Sequence, residues 1–254
     1  MSRIGAVIGN TFRESIRDKV FYVLLFFAVT TILGSKVLGW VSIGQDVKII
    51  KDICLAAMSI FGTLIAIFVG ANLVYKEIDK KTLYTLLAQP MHRYEFLLGK
   101  YLGLLAVIAV SMLFMTAGAT LYLWLMGGMV TVVWFQAILL IFLKLVLITA
   151  FSVLLSTVIS PILGAIVVAS FYFAGHATEI FRNLPSQFEG TFIKGLLQVL
   201  YFAIPNLNVF NLQSEAANNV PVAAPYMGFA AAYGLAWTAL LLILACLAFE
   251  RRDV

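Results

Sequence analysis

The sequence predicts an all-α polytopic membrane protein with six transmembrane helices, and three observations carry that prediction. Of its 254 residues, 63% are hydrophobic and only 11% charged, whereas a soluble domain has roughly 45–50% apolar and about 25% charged residues. The apolar residues gather in six runs, 20–40, 53–75, 98–126, 132–159, 161–182 and 226–249. At about 1.5 Å of helical rise per residue, each can cross a hydrocarbon layer of about 30 Å. The cations are also sorted between the two sides of those runs, as the orientation of membrane helices requires.

Residues 3–19 come first and read as an amphipathic helix. Ile4, Val7, Ile8, Phe12 and Ile16 recur at helical spacing, opposite Arg3, Arg13, Glu14, Arg17 and Asp18. That pattern suits a helix lying in the membrane interface; the alternative is a cytoplasmic extension of the first span. No small-residue cleavage pattern comes after the first run, so no removed signal is expected. One side of the six runs carries eleven cations: Arg3, Arg13, Arg17, Lys19, Lys76, Lys80, Lys81, Arg93, Lys100, Arg251 and Arg252. The other carries five, Lys36, Lys48, Lys51, Arg182 and Lys194, with the acids Asp46, Asp52, Glu179, Glu189 and Glu215. The asymmetry predicts that both termini and the 76–100 segment are cytoplasmic. Because the cations line membrane boundaries, the net charge of +5 does not point to nucleic acid.

The outer connections are 41–52, a Gly127-Gly128 turn within 127–131, and the long segment 183–225. In the last, Phe192 to Ala203 is apolar but about 18 Å long if helical, too short to span, and Pro205, Pro221 and Pro225 interrupt the chain between it and the final run. It is expected to form short re-entrant helices. Cys54 and Cys246 fall inside spans and read as small buried apolar residues.

Chemistry-bearing residues are few. Lys144 lies deep in the fourth run, where a cation costs about 2.5–3.5 kcal/mol and needs a polar partner. His176, Glu179 and Arg182 share a helical face, and Glu179 and Arg182 can pair. Lys144, His176 and Glu179 are the candidates for a substrate path. No paired acid and base, metal cluster or nucleophilic triad is evident. Gly99-Lys100 is followed by Tyr101 and lacks the spacing of a phosphate-binding loop, so no ATPase site is expected. Small residues repeat at four-residue spacing in Gly62/Ala66/Gly70, Gly99/Gly103 and Ser152/Ser156/Ser160, which allows close helix approach within the chain or between copies.

The segment from Tyr75 to Gly103 is charged and amphipathic between two membrane-length runs. Glu77, Thr82, Leu83, Leu86, Leu87, Pro90, Arg93, Phe96, Gly99 and Lys100 stand in it where the type-2 ABC transporter permease family carries its motif. The chain resembles that family, with Lys81 where many members have glycine. Pro205-Asn206-Leu207, Phe210-Asn211 and the ending Phe249-Glu250-Arg251-Arg252-Asp253 also resemble it. The resemblance implies an N-terminal interfacial helix over 1–19 and a six-span permease domain over 20–254. It further implies a cytoplasmic coupling helix within 76–97 and short outer helices within 183–225.

By the same resemblance, Glu77, Thr82, Leu83, Leu86, Leu87, Pro90 and Arg93 couple the chain to a separate ATPase subunit, which would bind ATP and Mg. A second permease subunit, as a homodimer, and export through the inner or plasma membrane are likewise implied. The motif looks most similar to permeases associated with maturation of multicopper enzymes and nitrous-oxide reductase, and the substrate stays open. The reading from residues alone leaves two alternatives. One is an ion-coupled secondary transporter or channel using Lys144, His176 and Glu179, which would be expected to show inverted repeats or broken helices; the other is an intramembrane enzyme or scaffold.

Overall fold

The computed structural model describes residues 3–39, 45–79, 92–178 and 204–251, and every regular element among them is helical. The first is α1, Arg3–Ile16, followed by α2, Lys19–Gly39. They are separate helices: the chain turns at Arg17 and Asp18, and the Val20 backbone N–H donates to Asp18 Oδ1 at 2.9 Å, an N-cap contact that starts α2.

Helix α3, Asp46–Leu73, continues through Val74 into the short α4, Tyr75–Asp79. Its start corrects the expected boundary at residue 53: Lys48, Lys51 and Asp52, read as part of an outer loop, belong to the helix. The Lys51 amine has a protein partner, Asn219 Oδ1 at 2.7 Å, so this polar turn is held against the segment that precedes α9. A hydropathy reading stops where charges begin and cannot see that partner.

Helix α5, Arg93–Leu125, is 33 residues long and begins before its apolar run, at His92, where a capping box closes it. The His92 N–H donates to Glu95 Oε2 at 3.2 Å. At the far end Gly127 adopts a left-handed φ of 72°, and the Gly128 N–H returns to Leu123 O at 2.9 Å. This is the expected glycine turn, and it leads to α6, Val132–Val158.

Ile159 and Ser160 are extended, and Pro161 opens α7, Pro161–His176, at a position where its missing N–H costs no helical bond. The fifth run was expected to be one helix over 161–182; the helix ends at His176 instead. The segment after residue 203 packs there. A Cβ on Gly175 would lie 2.6 Å from Leu207 Cγ, and Asn208 Nδ2 donates to the His176 carbonyl at 2.9 Å, satisfying a helix-end acceptor.

A 3-10 turn, Leu207–Phe210, and the short α8, Gln213–Asn218, precede α9, Ala224–Glu250. The re-entrant piece expected at Phe192–Ala203 lies outside the described residues.

Among the described residues, α3, α5, α6 and α9 are long and apolar enough to cross a membrane, while Lys19–Ser35 within α2 and α7 are shorter apolar helices. α6 is central, with α3 and α9 packed along it; α2 lies on α3, and α1 on α5. Trp134, Leu140, Leu145 and Ile148 of α6 are buried, whereas Phe26, Phe114, Trp124, Ile162 and Phe173 face outward. In water such an outer surface would drive aggregation; in lipid it needs no cover, because acyl chains are as apolar as leucine.

Candidate functional site

The residues that begin and end the expected coupling segment meet at one end of the bundle. Lys100 is the eighth residue of α5 and is 1% exposed. Its amine donates to Glu77 Oε1 of α4 at 2.9 Å and to Glu14 Oε2 of α1 at 3.4 Å. The nitrogen also lies 5.7 Å from the centroid of the Phe96 ring. One shielded charge therefore touches three stretches of chain. Beside it, Lys76 and Asp18 approach to 3.7 Å in a more exposed pair.

The small-residue pair Gly99 and Gly103 explains how α1 comes so near. A Cβ on Gly99 would stand 2.8 Å from Val7 Cβ, and one on Gly103 would stand 2.6 Å from Thr11 Cβ. The face of α1 turned to α5 includes Val7 and Thr11, and Thr11 is buried.

Arg93 takes a second intrachain role. Its guanidinium donates at 3.3 Å to the carbonyls of Phe249 and Glu250, the open end of α9, where a cation also complements the helix dipole. The Phe96 and Phe249 rings stack at 6.2 Å beneath it. Glu77 and Arg93, expected as partner contacts, are thus both engaged within the chain. Thr82, Leu83, Leu86, Leu87 and Pro90 lie outside the described residues.

The membrane-embedded candidates form a separate cluster. Lys144 on α6 is 3% exposed, and its amine donates to Ser59 Oγ of α3. It sits 5.4 Å from the centroid of the Tyr172 ring, and the His176 ring lies 4.4 Å from that same ring. His176 Nδ1 lies 2.9 Å from the Tyr172 carbonyl. The structure therefore brings Lys144 and His176 together around Tyr172. Glu179 and Arg182 lie outside the described residues. Two apolar grooves, of about 390 and 470 Å³, open between α3 and α7 and between α5 and α6; neither is lined by Lys144 or His176.

Sequence reasoning missed Glu14 and the burial of Lys51, as it missed Ser59 and Tyr172. Glu14 was read as part of a charged helix face, and only its approach to a buried lysine 86 positions away reveals its role. Lys51 was counted as an outer-loop cation, yet it is fully buried, and Asn219 Oδ1, which accepts its hydrogen bond, also accepts from Thr131 Oγ1 at 3.2 Å. Asn219 has φ 56°, a left-handed conformation that asparagine tolerates. Among the described residues no three His, Cys, Asp or Glu side chains are grouped to hold a metal ion.

A comparison with curated protein sequences finds no match. The model of the family described as ABC-2 family transporter protein matches residues 6–254. With helices long and apolar enough to cross a membrane and a family match over nearly its whole length, the chain belongs to the ABC-2 transporter family and is a multi-pass membrane permease component of an ABC transporter, a transport subunit and not a catalytic domain.

Proposed function

We propose that this permease is the transmembrane half of an ATP-driven exporter, acting as a homodimer on two separate ATPase subunits that bind ATP and Mg. It has six spans in the inner or plasma membrane, with both termini and residues 76–97 in the cytoplasm. The observation that supports this best is the 2.9 Å pair between Glu77 and Lys100, which closes the motif segment at its base. Leu83, Leu86 and Leu87 supply an apolar stripe for a groove on the ATPase, and the flanking charges set its register.

The cation asymmetry supports a cytoplasmic place for the 76–97 segment. Replacing Leu86 and Leu87 with Asp tests the reading in membranes containing the ATPase. The partner should be lost or uncoupled while the permease keeps its abundance and melting temperature. Partner recovery at the wild-type ratio with unchanged coupled hydrolysis would overturn it.

Within the membrane, Lys144, His176 and Glu179 are proposed to line the substrate path, with Lys144 attracting an anionic group. The arrangement of Lys144 and His176 about Tyr172 favours this. It is also the observation that favours ion coupling as the second reading. Dependence of transport on an ion gradient with no ATPase partner present would select that second reading.

A further inference from the structure

We infer that Lys100 is a positioning residue that fastens α4 and the start of α5, which flank the coupling segment, to the N-terminal helix, so that the three helices move as one body. The inference rests on the coupling role proposed for that segment and adds a residue and a mechanical connection to it. The Lys100 side chain is 2% exposed, against 17% for Glu77 and 43% for Glu14. Water competes weakly for a charge in that setting, so its attachments hold better than those of a surface pair.

The geometry makes the contact a junction. Glu77 precedes the segment and Lys100 comes after it, 23 positions apart in sequence and 2.9 Å apart in space. A push on the intervening residues therefore cannot be absorbed by α4 swinging away from α5. The second carboxylate, Glu14, belongs to α1, which Gly99 and Gly103 already hold at contact distance from α5. Displacement of α4 or of the start of α5 is carried into α1, and displacement of α1 into both. Replacing the lysine removes the hydrogen bonds that tie α4 and α1 to α5 at this point.

Hydrogen exchange on the full-length chain in nanodiscs reads the fastening directly, and ATP hydrolysis of the complex co-purified with its ATPase reads the consequence. For Lys100→Met, exchange in α1 and α4 should rise together by about tenfold, with α6 and α9 unchanged. Hydrolysis per assembled complex should fall by about tenfold, within the usual range of coupling between sites. Lys100→Arg, which keeps a cation facing both carboxylates, should hold both readings near the wild-type values.

Unchanged exchange in Lys100→Met would overturn the fastening. A rise spread through α6 and α9 would also overturn it, by showing that the residue only stabilises the bundle. Local loosening with wild-type hydrolysis would overturn the transmission role. Failure of the wild-type chain to recover any ATPase would instead count against the proposed function itself.

Discussion

Lys100 and Lys144 are both nearly closed to solvent, and the contrast between their neighbours separates two uses of a buried cation. Lys100 faces two carboxylates, whereas the contacts of Lys144 among the described residues are a serine hydroxyl and an aromatic face. Neutral groups compensate a charge less fully than carboxylates do, so retaining Lys144 at that depth has a cost that packing alone would not select. Lys144→Leu removes an insertion cost of about 3 kcal/mol, and the variant should assemble at wild-type abundance with an equal or higher melting temperature. Transport should nevertheless fall. Equal transport at matched abundance would assign the residue a structural role only. Composition and position made Lys144 legible in the sequence; Ser59 and Tyr172 were not, because each comes from a different helix.

Close approach between helices depends on what each glycine meets. Gly62 of α3 faces the end of Leu145, whose Cδ1 would stand 2.6 Å from an added Cβ, and that methyl can rotate away. Gly103 of α5 faces Thr11 Cβ at 2.6 Å and the Ile8 carbonyl at 3.0 Å, which cannot move without shifting α1. Gly103→Ala should therefore destabilise the docking of α1 by about 1–3 kcal/mol, the usual cost of overpacking, while Gly62→Ala should cost less. Limited proteolysis at exposed sites of α1 reads the first effect, and thermal unfolding in detergent ranks the two. Equal sensitivity at both positions would contradict the ordering. The four-residue spacing was visible in the sequence as a close-approach signal. Its use by Gly99 and Gly103 against the amphipathic α1 was not visible, since the spacing names a face and not its occupant.

Across the whole molecule, the cation distribution and the helix order together predict where each connection emerges. In a chain with Cys54 and Cys246 replaced, single cysteines at positions 80 and 252 should react with an impermeant thiol reagent only after the cytoplasmic face is opened. A cysteine at Asn218, an exposed residue at the end of α8, should react from outside in intact cells. Labelling of position 80 or 252 from outside would reverse or break the six-span arrangement.

The sequence by itself determined that the chain is a helical membrane protein, located the apolar runs, and identified the motif whose family the match over 6–254 shows. These depend on composition and local periodicity, which each segment carries in its own residues. Only the tertiary structure decided that α3 begins at Asp46, that α7 stops at His176, and that Lys51, Lys100 and Lys144 are satisfied by Asn219, by Glu77 with Glu14, and by Ser59. A buried charge takes its partner from whatever another helix brings within about 3 Å, and no local pattern specifies that neighbour.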